Sequence, residues 1–194
     1  MNKFVFLLPV SVMFLLFYFG YQYINSSETA TNESLQNDIV ISLDANRNGK
    51  EVLLRGTWDW TQMPIDGLIG DDYIMITIKQ EDDTPIDFLN VLSAELFLLK
   101  GKQQLQSVIG EVDPNGIVFT FPNKIVDHES FGNRGEVVVV LQIADEASYI
   151  ATFTYVHTWV DHQLVGLNQL YSLEADLQDI LTNKYWSVKR FIEF

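Results

Sequence analysis

Between residues 39 and 160 the chain alternates short apolar runs with clusters of turn residues. The clearest run covers residues 51–60, where Val52, Leu54 and Trp58 share one face of an extended chain and polar neighbours share the other. Successive side chains of a β-strand point to opposite faces, so a period of two indicates a strand with one buried face. Further runs predict strands at 39–43, 73–79, 94–99, 103–112, 117–121, 136–144 and 149–160.

Turn residues separate these runs in a way that favours antiparallel pairing. Asp113-Pro-Asn-Gly116 joins two runs and has proline and glycine where a β-turn accepts them. Residues 145–148 join two others. Seven or eight strands at this spacing predict a mainly β fold, an antiparallel two-sheet sandwich of the immunoglobulin-like kind. The pattern does not specify the order of the strands.

The last thirty residues follow a different pattern. Leucine and isoleucine recur at helical spacing, which predicts a C-terminal helix over residues 169–182. Residues 185–194 alternate between apolar and polar positions, which favours a final strand, although continuation of the helix also fits.

An uncharged apolar stretch covers residues 4–24. A helix of that length reaches about 31 Å, close to the roughly 30 Å of a bilayer core, so we expect a transmembrane helix. A cleaved signal peptide is the alternative, but no A-x-A-like pair of small residues follows the stretch. The sequence therefore favours an uncleaved membrane anchor.

Charge then predicts the orientation and the domain organisation. Lys3 precedes the apolar stretch, and the next basic residue is Arg47. Because positive flanks stay in the cytoplasm, residues 1–3 are expected inside the cell and residues 39–194 outside, as one domain. The polar residues 25–38 are expected to form a flexible stalk.

Composition restricts the class of protein. The chain has 26 acidic and 12 basic residues, a formal net charge of −14, and no cysteine. This charge argues against nucleic acid as a partner and favours a cationic partner or a divalent ion. Without cysteine there is neither a disulfide framework nor a thiolate metal site, which favours a bacterial, Gram-positive cell envelope over the endoplasmic reticulum.

One short motif resembles the first half of a calcium loop. Asp44, Asn46 and Asn48 alternate before Gly49, as oxygen ligands do in such a loop. The twelfth position, which needs a bidentate acid, holds Arg55. These residues are thus a weak calcium site, and a polar hairpin turn over 44–49 is the favoured interpretation. No other cofactor is expected.

Two segments rich in carboxylates, 61–72 and 81–87, form a candidate binding surface at one end of the sandwich. Its residues are Asp66, Asp71, Asp72, Asp82 and Asp83. An exported hydrolase could use two such acids across a cleft, but among 26 acids a close pair is expected by chance.

Histidine and aromatic residues give no catalytic signature. His157 and Asp161 share a face of one predicted strand and His128 lies in a loop, but a third ligand and a nucleophile are missing. The aromatic faces of 58–60 and 153–159 are expected in the core, and the threonine face of 152–158 in solvent. We therefore expect a non-enzymatic binding or structural module that meets an envelope protein or a wall polymer.

Overall fold

The computed structural model describes residues 3–26, 30–80, 90–113, 116–143, 147–161 and 184–194 of the 194-residue chain. It divides the chain into two compact units, Met1–Ala30 and Thr31–Phe194.

The first unit contains one helix, α1 (Lys3–Ser26), with Pro9 in its first turns. Its side chains are described from residue 9 to residue 22, and its apolar side chains there are exposed. Within the described residues, no helix combines the length and the apolarity that crossing a membrane requires. The transmembrane helix expected at 4–24 is therefore not among the features that the structure shows.

The second unit is built from β-strands after a short 3-10 helix (Ser34–Asn37). Its described strands are β1 (Ile39–Asn48), β2 (Glu51–Trp60), β3 (Asp71–Gln80), β4 (Asn90–Lys100), β5 (Gln103–Ile109), β6 (Glu111–Asp113), β7 (Gly116–Pro122), β8 (Lys124–Val126), β9 (Glu129–Phe131), β10 (Arg134–Gln142), β11 (Tyr149–Thr158) and β12 (Tyr185–Glu193).

These strands form two antiparallel sheets that enclose the core. Sheet 1 has the order β1-β2-β10-β4-β5, sheet 2 has the order β12-β11-β3-β7-β6, and β8 and β9 form a separate hairpin. The prediction of a mainly β, two-sheet antiparallel fold is confirmed. Large and small residues alternate across the core: a Cβ at Gly135 would lie 2.5 Å from Cζ2 of Trp58, and the ring of Phe153 fills the space beside Gly56.

The run 103–112, predicted as one strand, is divided between the sheets. β5 pairs with β4 in sheet 1, whereas β6 pairs with β7 in sheet 2. The crossing occurs at Gly110, where a Cβ would lie 2.7 Å from Ile117 and 2.8 Å from Phe119. Apolar periodicity cannot show such a change of sheet because the chain stays extended on both sides of it.

The ends of the domain differ in part from expectation. Residues 185–193 form strand β12 beside β11, which confirms the favoured interpretation of that segment. The C-terminal helix expected at 169–182 lies outside the described residues. The flexible stalk expected at 25–38 is contradicted from residue 31, because Leu35 in the 3-10 helix is fully buried in the core. The burial of a single leucine side chain in the core can hold a polar segment against the domain.

The threonine face of β11 is also not the solvent-exposed face that the sequence predicted. Thr154 and Thr158 are buried, and the Thr158 hydroxyl donates to the carbonyl oxygen of Asp71 at 2.8 Å. Tyr73 and Val156 form a second small apolar cluster on the same face of sheet 2. The opposite, aromatic face forms the main core as expected.

Candidate functional site

Chain connections gather at one end of the sandwich, here called the loop end. β2, β7 and β11 finish there, and β3, β10 and β12 begin there. Two of the described connections at this end are residues 61–70, between β2 and β3, and residues 123–133, which include the β8–β9 hairpin. They meet where the Asn123 N–H donates to the carbonyl oxygen of Gly70 at 3.0 Å.

Asp72, expected on an acidic surface, lies instead in the interior of the loop end. It belongs to β3 and its side chain is 0% exposed. Its carboxylate accepts hydrogen bonds from the Tyr155 hydroxyl at 2.6 Å, the Thr158 N–H at 3.0 Å and the Asn123 side-chain amide at 3.2 Å. His157 Nδ1 lies 3.0 Å from the same carboxylate. Four polar groups thus lie within hydrogen-bond distance of this buried carboxyl group.

His157 is equally buried and contacts an acceptor at each ring nitrogen. Its Nε2 lies 2.9 Å from Oδ1 of Asn32, whose own amide nitrogen donates to the carbonyl oxygen of Gly67. Its Nδ1 faces Asp72. Each ring nitrogen therefore lies within hydrogen-bond distance of a buried polar partner, which holds the ring in one orientation.

Aromatic rings enclose this pair. The ring centroids of Trp60 and Trp186 each lie 4.9 Å from that of His157, and that of Trp159 lies 5.7 Å away. The three rings exclude water from the imidazole, which is fully buried.

Asn123 connects the two sides of the pair. Its side-chain nitrogen lies 3.2 Å from both Asp72 Oδ1 and the carbonyl oxygen of Thr158, which accept its two hydrogens. The same nitrogen lies 3.1 Å from His157 Nδ1. Its side-chain oxygen is buried and has no hydrogen-bond partner among the residues that the structure describes.

The tyrosines at this end are held in the neutral form. Burial raises the pKa of Tyr155 well above its usual 10.0, and the charge of Asp72 raises it further. Burial also raises the pKa of Tyr73, with smaller contributions from the charges of Asp71 and Asp72. Tyr155 thus remains a hydroxyl donor to Asp72 while its oxygen accepts from Trp60 Nε1 at 3.2 Å.

Asn32 attaches the start of the domain to the same cluster. Its N–H donates to Asp66 Oδ1 at 3.0 Å, and its carbonyl oxygen accepts from Trp186 Nε1 at 2.7 Å. The side chains of Asn32, Asp72, Asn123, Tyr155, His157 and Thr158 are referred to below as the buried polar network. The network joins the segment before β1, the 61–70 connection and both sheets, including the edge strand β12.

The buried polar network is a structural element in this conformation. Asp72 and His157 are fully buried, so a substrate has no access to them. In the described part of the chain, no three histidine, aspartate or glutamate side chains are grouped to hold a metal. The network therefore fixes the positions of the loops that surround it.

The surface of the loop end is apolar as well as acidic. Five exposed apolar side chains, called the apolar loop surface, lie on its two connections: Met63, Ile65, Ile69, Ile125 and Val126. Ile65 is 69% exposed and Ile125 is 57% exposed. Connections on a rigid scaffold commonly carry binding residues, and a cluster of exposed apolar side chains is typical of interaction sites.

The other predicted site residues are dispersed. Asp66 lies on the exposed 61–70 connection, whereas Asp71 is half-buried in β3. Asp82 and Asp83 lie outside the described residues. His128 follows Asp127 in the β8–β9 turn, where both have positive φ, of 67° and 49°.

The calcium candidate does not form a loop. Asp44, Asn46 and Asn48 all lie in β1, on its exposed face, opposite Arg55, Leu53 and Glu51 of β2. Alternate residues of a strand are about 6.6 Å apart along its axis, so their side chains do not converge on one ion. The turn is also shorter than predicted: only Gly49 and Lys50 join the strands, and Gly49 has the positive φ that a two-residue turn needs.

Comparisons with known proteins give only distant likenesses. No protein-family model and no curated protein sequence matches the chain. The collagen-binding subdomain of the Enterococcus faecalis surface protein ACE is similar at 10% identity and a TM-score of 0.40, covering 80% of this chain and 94% of that one.

A collagen-binding domain from a Staphylococcus aureus adhesin is similar at 10% identity and a TM-score of 0.39, covering 78% of this chain and 95% of that one. The Mu homology domain of Danio rerio Fcho1, solved with a bound Eps15 peptide, follows at 9% identity and a TM-score of 0.32, covering 62% and 39%. Likenesses of this size do not establish a shared function.

Sequence reasoning missed the central residues of the buried polar network. It placed His157 and Asp161 on one face of a predicted strand, whereas His157 contacts Asp72, 85 positions earlier. Asn32 and Asn123 carry no signal in the sequence, since isolated asparagines are common in turns. Only the register of β3 against β11, which places Tyr73 opposite Val156, brings Asp72 beside His157.

Proposed function

We propose that residues 31–194 form a non-catalytic binding module of a bacterial cell envelope, and that the module binds its partner through the apolar loop surface. One observation carries the proposal: exposed apolar side chains such as Ile65 and Ile125 lie on connections that the buried polar network holds in place. Preorganised loops lose little conformational entropy on binding, which favours affinity.

Charge supports a particular class of partner. The chain carries a net charge of −14, and Asp66, Asp127 and Glu129 lie on the same two connections as the apolar loop surface. A segment of an envelope protein with apolar and basic side chains would complement both properties. A nucleic acid or another polyanion would be repelled.

We propose further that residues 4–24 anchor the chain in the cytoplasmic membrane, with the second unit outside. This rests on the uncharged apolar sequence and on Lys3 before it. Protease treatment of intact cells tests the orientation. We expect loss of the domain with the amino terminus protected, and full protection of the domain would contradict the proposed location.

Site-specific photocrosslinking in intact cells tests the binding surface. A crosslinker at residue 65 and another at residue 125 should yield an adduct with the same protein. A crosslinker at Ser42 or at Gln142 provides the control, because both are exposed positions in strands of sheet 1. Equal yields of that adduct from the control positions would contradict the proposed surface.

A matched pair of substitutions sharpens the test. Ile65→Asp places a charge on the apolar loop surface, whereas Val40→Asp places one on a residue of similar exposure, 58%, in β1. We expect Ile65→Asp to reduce the adduct at residue 125 about tenfold, which corresponds to about 1.4 kcal/mol. Val40→Asp should leave it unchanged, and an equal effect of both substitutions would refute the assignment.

A further inference from the structure

A short segment before β1, residues 31–38, lies at the loop end and is here called the strap. Its residues precede the strand pairs of β1, which begin at Ile39, and they form no pair with any described strand. The Thr31 N–H donates to Ser34 Oγ at 2.9 Å, and the Leu35 N–H donates to the carbonyl oxygen of Thr31 at 2.9 Å. The strap therefore has a local structure of its own, and its removal would break no pair between strands.

Asn32 is the main polar attachment of the strap. It is 2% exposed, and each of its four hydrogen-bonding atoms has a partner. Its N–H donates to Asp66 Oδ1 at 3.0 Å, and its side-chain amide donates to the carbonyl oxygen of Gly67 at 2.8 Å. Its carbonyl oxygen accepts from Trp186 Nε1 at 2.7 Å, and its side-chain oxygen lies 2.9 Å from His157 Nε2. One residue thus links the connection after β2 to β11 and β12.

The 61–70 connection takes several of its hydrogen bonds from the strap. Two come from Asn32, and in a third the Thr61 hydroxyl donates to the carbonyl oxygen of Asp38 at 2.9 Å. The connection forms neither a helix nor a strand, and Leu68 adds a half-buried contact with the core. A connection without secondary structure depends on such contacts for a single conformation.

Leu35 attaches the strap in a different way. Its side chain is fully buried in the main core, and its backbone bonds within the strap, to Thr31 and Asp38. Leu35 therefore holds the strap in place without a hydrogen bond to the connection. The two attachments can be removed separately, one at Asn32 and one at Leu35.

We propose that the strap sets the conformation of the 61–70 connection, and that the apolar loop surface is ordered for binding only while the strap is attached. The inference rests on the binding role proposed above. Met63, Ile65 and Ile69 lie on this connection and lose their fixed positions when Asn32 leaves it. Ordering them again on binding costs conformational entropy, which weakens the affinity. The two sheets stay folded because no described strand pair involves the strap.

The strap is also the point at which the preceding chain enters the domain. A pull on the residues before Thr31, or a protein bound to them, acts on Asn32 before it reaches β1. Events outside the domain can thus shift the equilibrium between the attached and the detached strap. By linkage, a partner that requires the ordered surface stabilises the attached strap in return.

Distances between pairs of spin labels test this coupling without any partner. The chain has no cysteine, so Ile65→Cys with Gln142→Cys labels the connection and the far end of β10 alone, in the full-length chain. Residue 142 lies roughly 27 Å from the loop end, a distance that such labels report well. The pair Ile125→Cys with Gln142→Cys is the reference, because residue 125 lies in the β8–β9 hairpin.

Two substitutions detach the strap through different contacts. Asn32→Ala removes the side-chain bonds to Gly67 and His157, and Leu35→Ala removes the attachment to the core. We expect each to widen the distribution of distances between residues 65 and 142 at least about twofold and to leave the reference pair unchanged. Gln36→Ala, at an exposed position of the strap, is the control and should change neither distribution.

Three results would overturn the coupling: an unchanged 65–142 distribution in both strap variants, equal widening of both pairs, or a distribution in the unmodified chain as wide as in the variants. The link to binding is measured by the crosslinker at residue 125. There, Asn32→Ala and Leu35→Ala should each reduce the adduct about tenfold, and an undiminished adduct would overturn that link. Because the distance measurement needs no partner, failure of the proposed binding function leaves its result intact.

Discussion

Replacing Asp72 by asparagine is the most direct test of the buried polar network. The substitution keeps the size of the side chain but removes the charge that faces His157, and it turns one acceptor oxygen into a donor amide. In the unmodified chain, the Asp72 carboxylate also accepts hydrogen bonds from Tyr155, Thr158 and Asn123. An asparagine cannot satisfy all of these donors, so at least one remains buried and unpaired.

The expected loss follows from the burial of both residues. Asp72 and His157 are each 0% exposed at a separation of 3.0 Å. Leaving a buried polar group without its hydrogen-bond partner costs about 1–3 kcal/mol, and more where the group is charged. Because a domain is typically stable by about 5–15 kcal/mol, Asp72→Asn should remove a large fraction of the free energy of unfolding.

Urea unfolding of the full-length chain, followed by tryptophan fluorescence, measures this loss. Trp60 and Trp186 lie against His157 and report on the site itself. Asp66→Asn is the matched control: its carboxylate is exposed and accepts from the Asn32 N–H, a bond that an amide oxygen can also accept. We expect a change below about 0.5 kcal/mol for the control.

A double-mutant cycle with His157→Gln separates the Asp72–His157 interaction from general damage to the core. If the two residues interact directly, the double variant is less destabilised than the sum of the single variants by about 1–3 kcal/mol. Additivity within about 0.5 kcal/mol, or a loss below about 1 kcal/mol for Asp72→Asn, would refute a direct interaction between the two side chains.

Three further predictions concern stability. Leu35→Ala should lower the free energy of unfolding by about 2–5 kcal/mol, because Leu35 is fully buried in the core, and a urea midpoint equal to that of the unmodified chain would restore the flexible-stalk interpretation. Gly135→Ala should cost at least about 1–3 kcal/mol, since the new Cβ would lie 2.5 Å from both Trp58 Cζ2 and the carbonyl oxygen of Phe97; an unchanged melting temperature would contradict this packing. Folding raises the pKa of Tyr155 above 10.0, so the contribution of its hydroxyl to stability is complete below pH 10 and is lost as the pH rises beyond that. Tyr155→Phe should therefore reduce the alkaline loss of stability, measured by urea unfolding between pH 9 and pH 12. An identical pH profile for that variant would show that another group is responsible.

Much of the fold was predictable from local pattern. β2 was predicted at its observed bounds, since the alternation of residues 51–60 reflects one buried and one exposed face. The boundaries that were missed depend on neighbouring strands. β1 continues to Asn48 through polar residues because β2 pairs along its whole length, with Asn48 opposite Glu51.

The candidate site was much less predictable. Asp66 lies on an exposed connection, whereas Asp72, which was expected beside it on the surface, lies in the interior. Alternation in the run 71–80 places Asp72 on the same face as Ile74 and Ile76, both buried. A carboxylate on that face is acceptable only if donors surround it, and a single sequence does not show the donors.

The amino-acid sequence by itself determined the strand pattern, the acidic balance and the absence of disulfide and thiolate chemistry, because these depend on the residues and on their immediate neighbours. Tertiary structure alone decided that Asp72, Asn123 and His157 form one buried network, that Leu35 joins the core, and that residues 103–112 are divided between the two sheets. These features depend on strand order and register, which join residues as far apart as Asn32 and His157. Such long-range contacts arise from the packing of whole sheets, and the local periodicity of the chain carries no record of them.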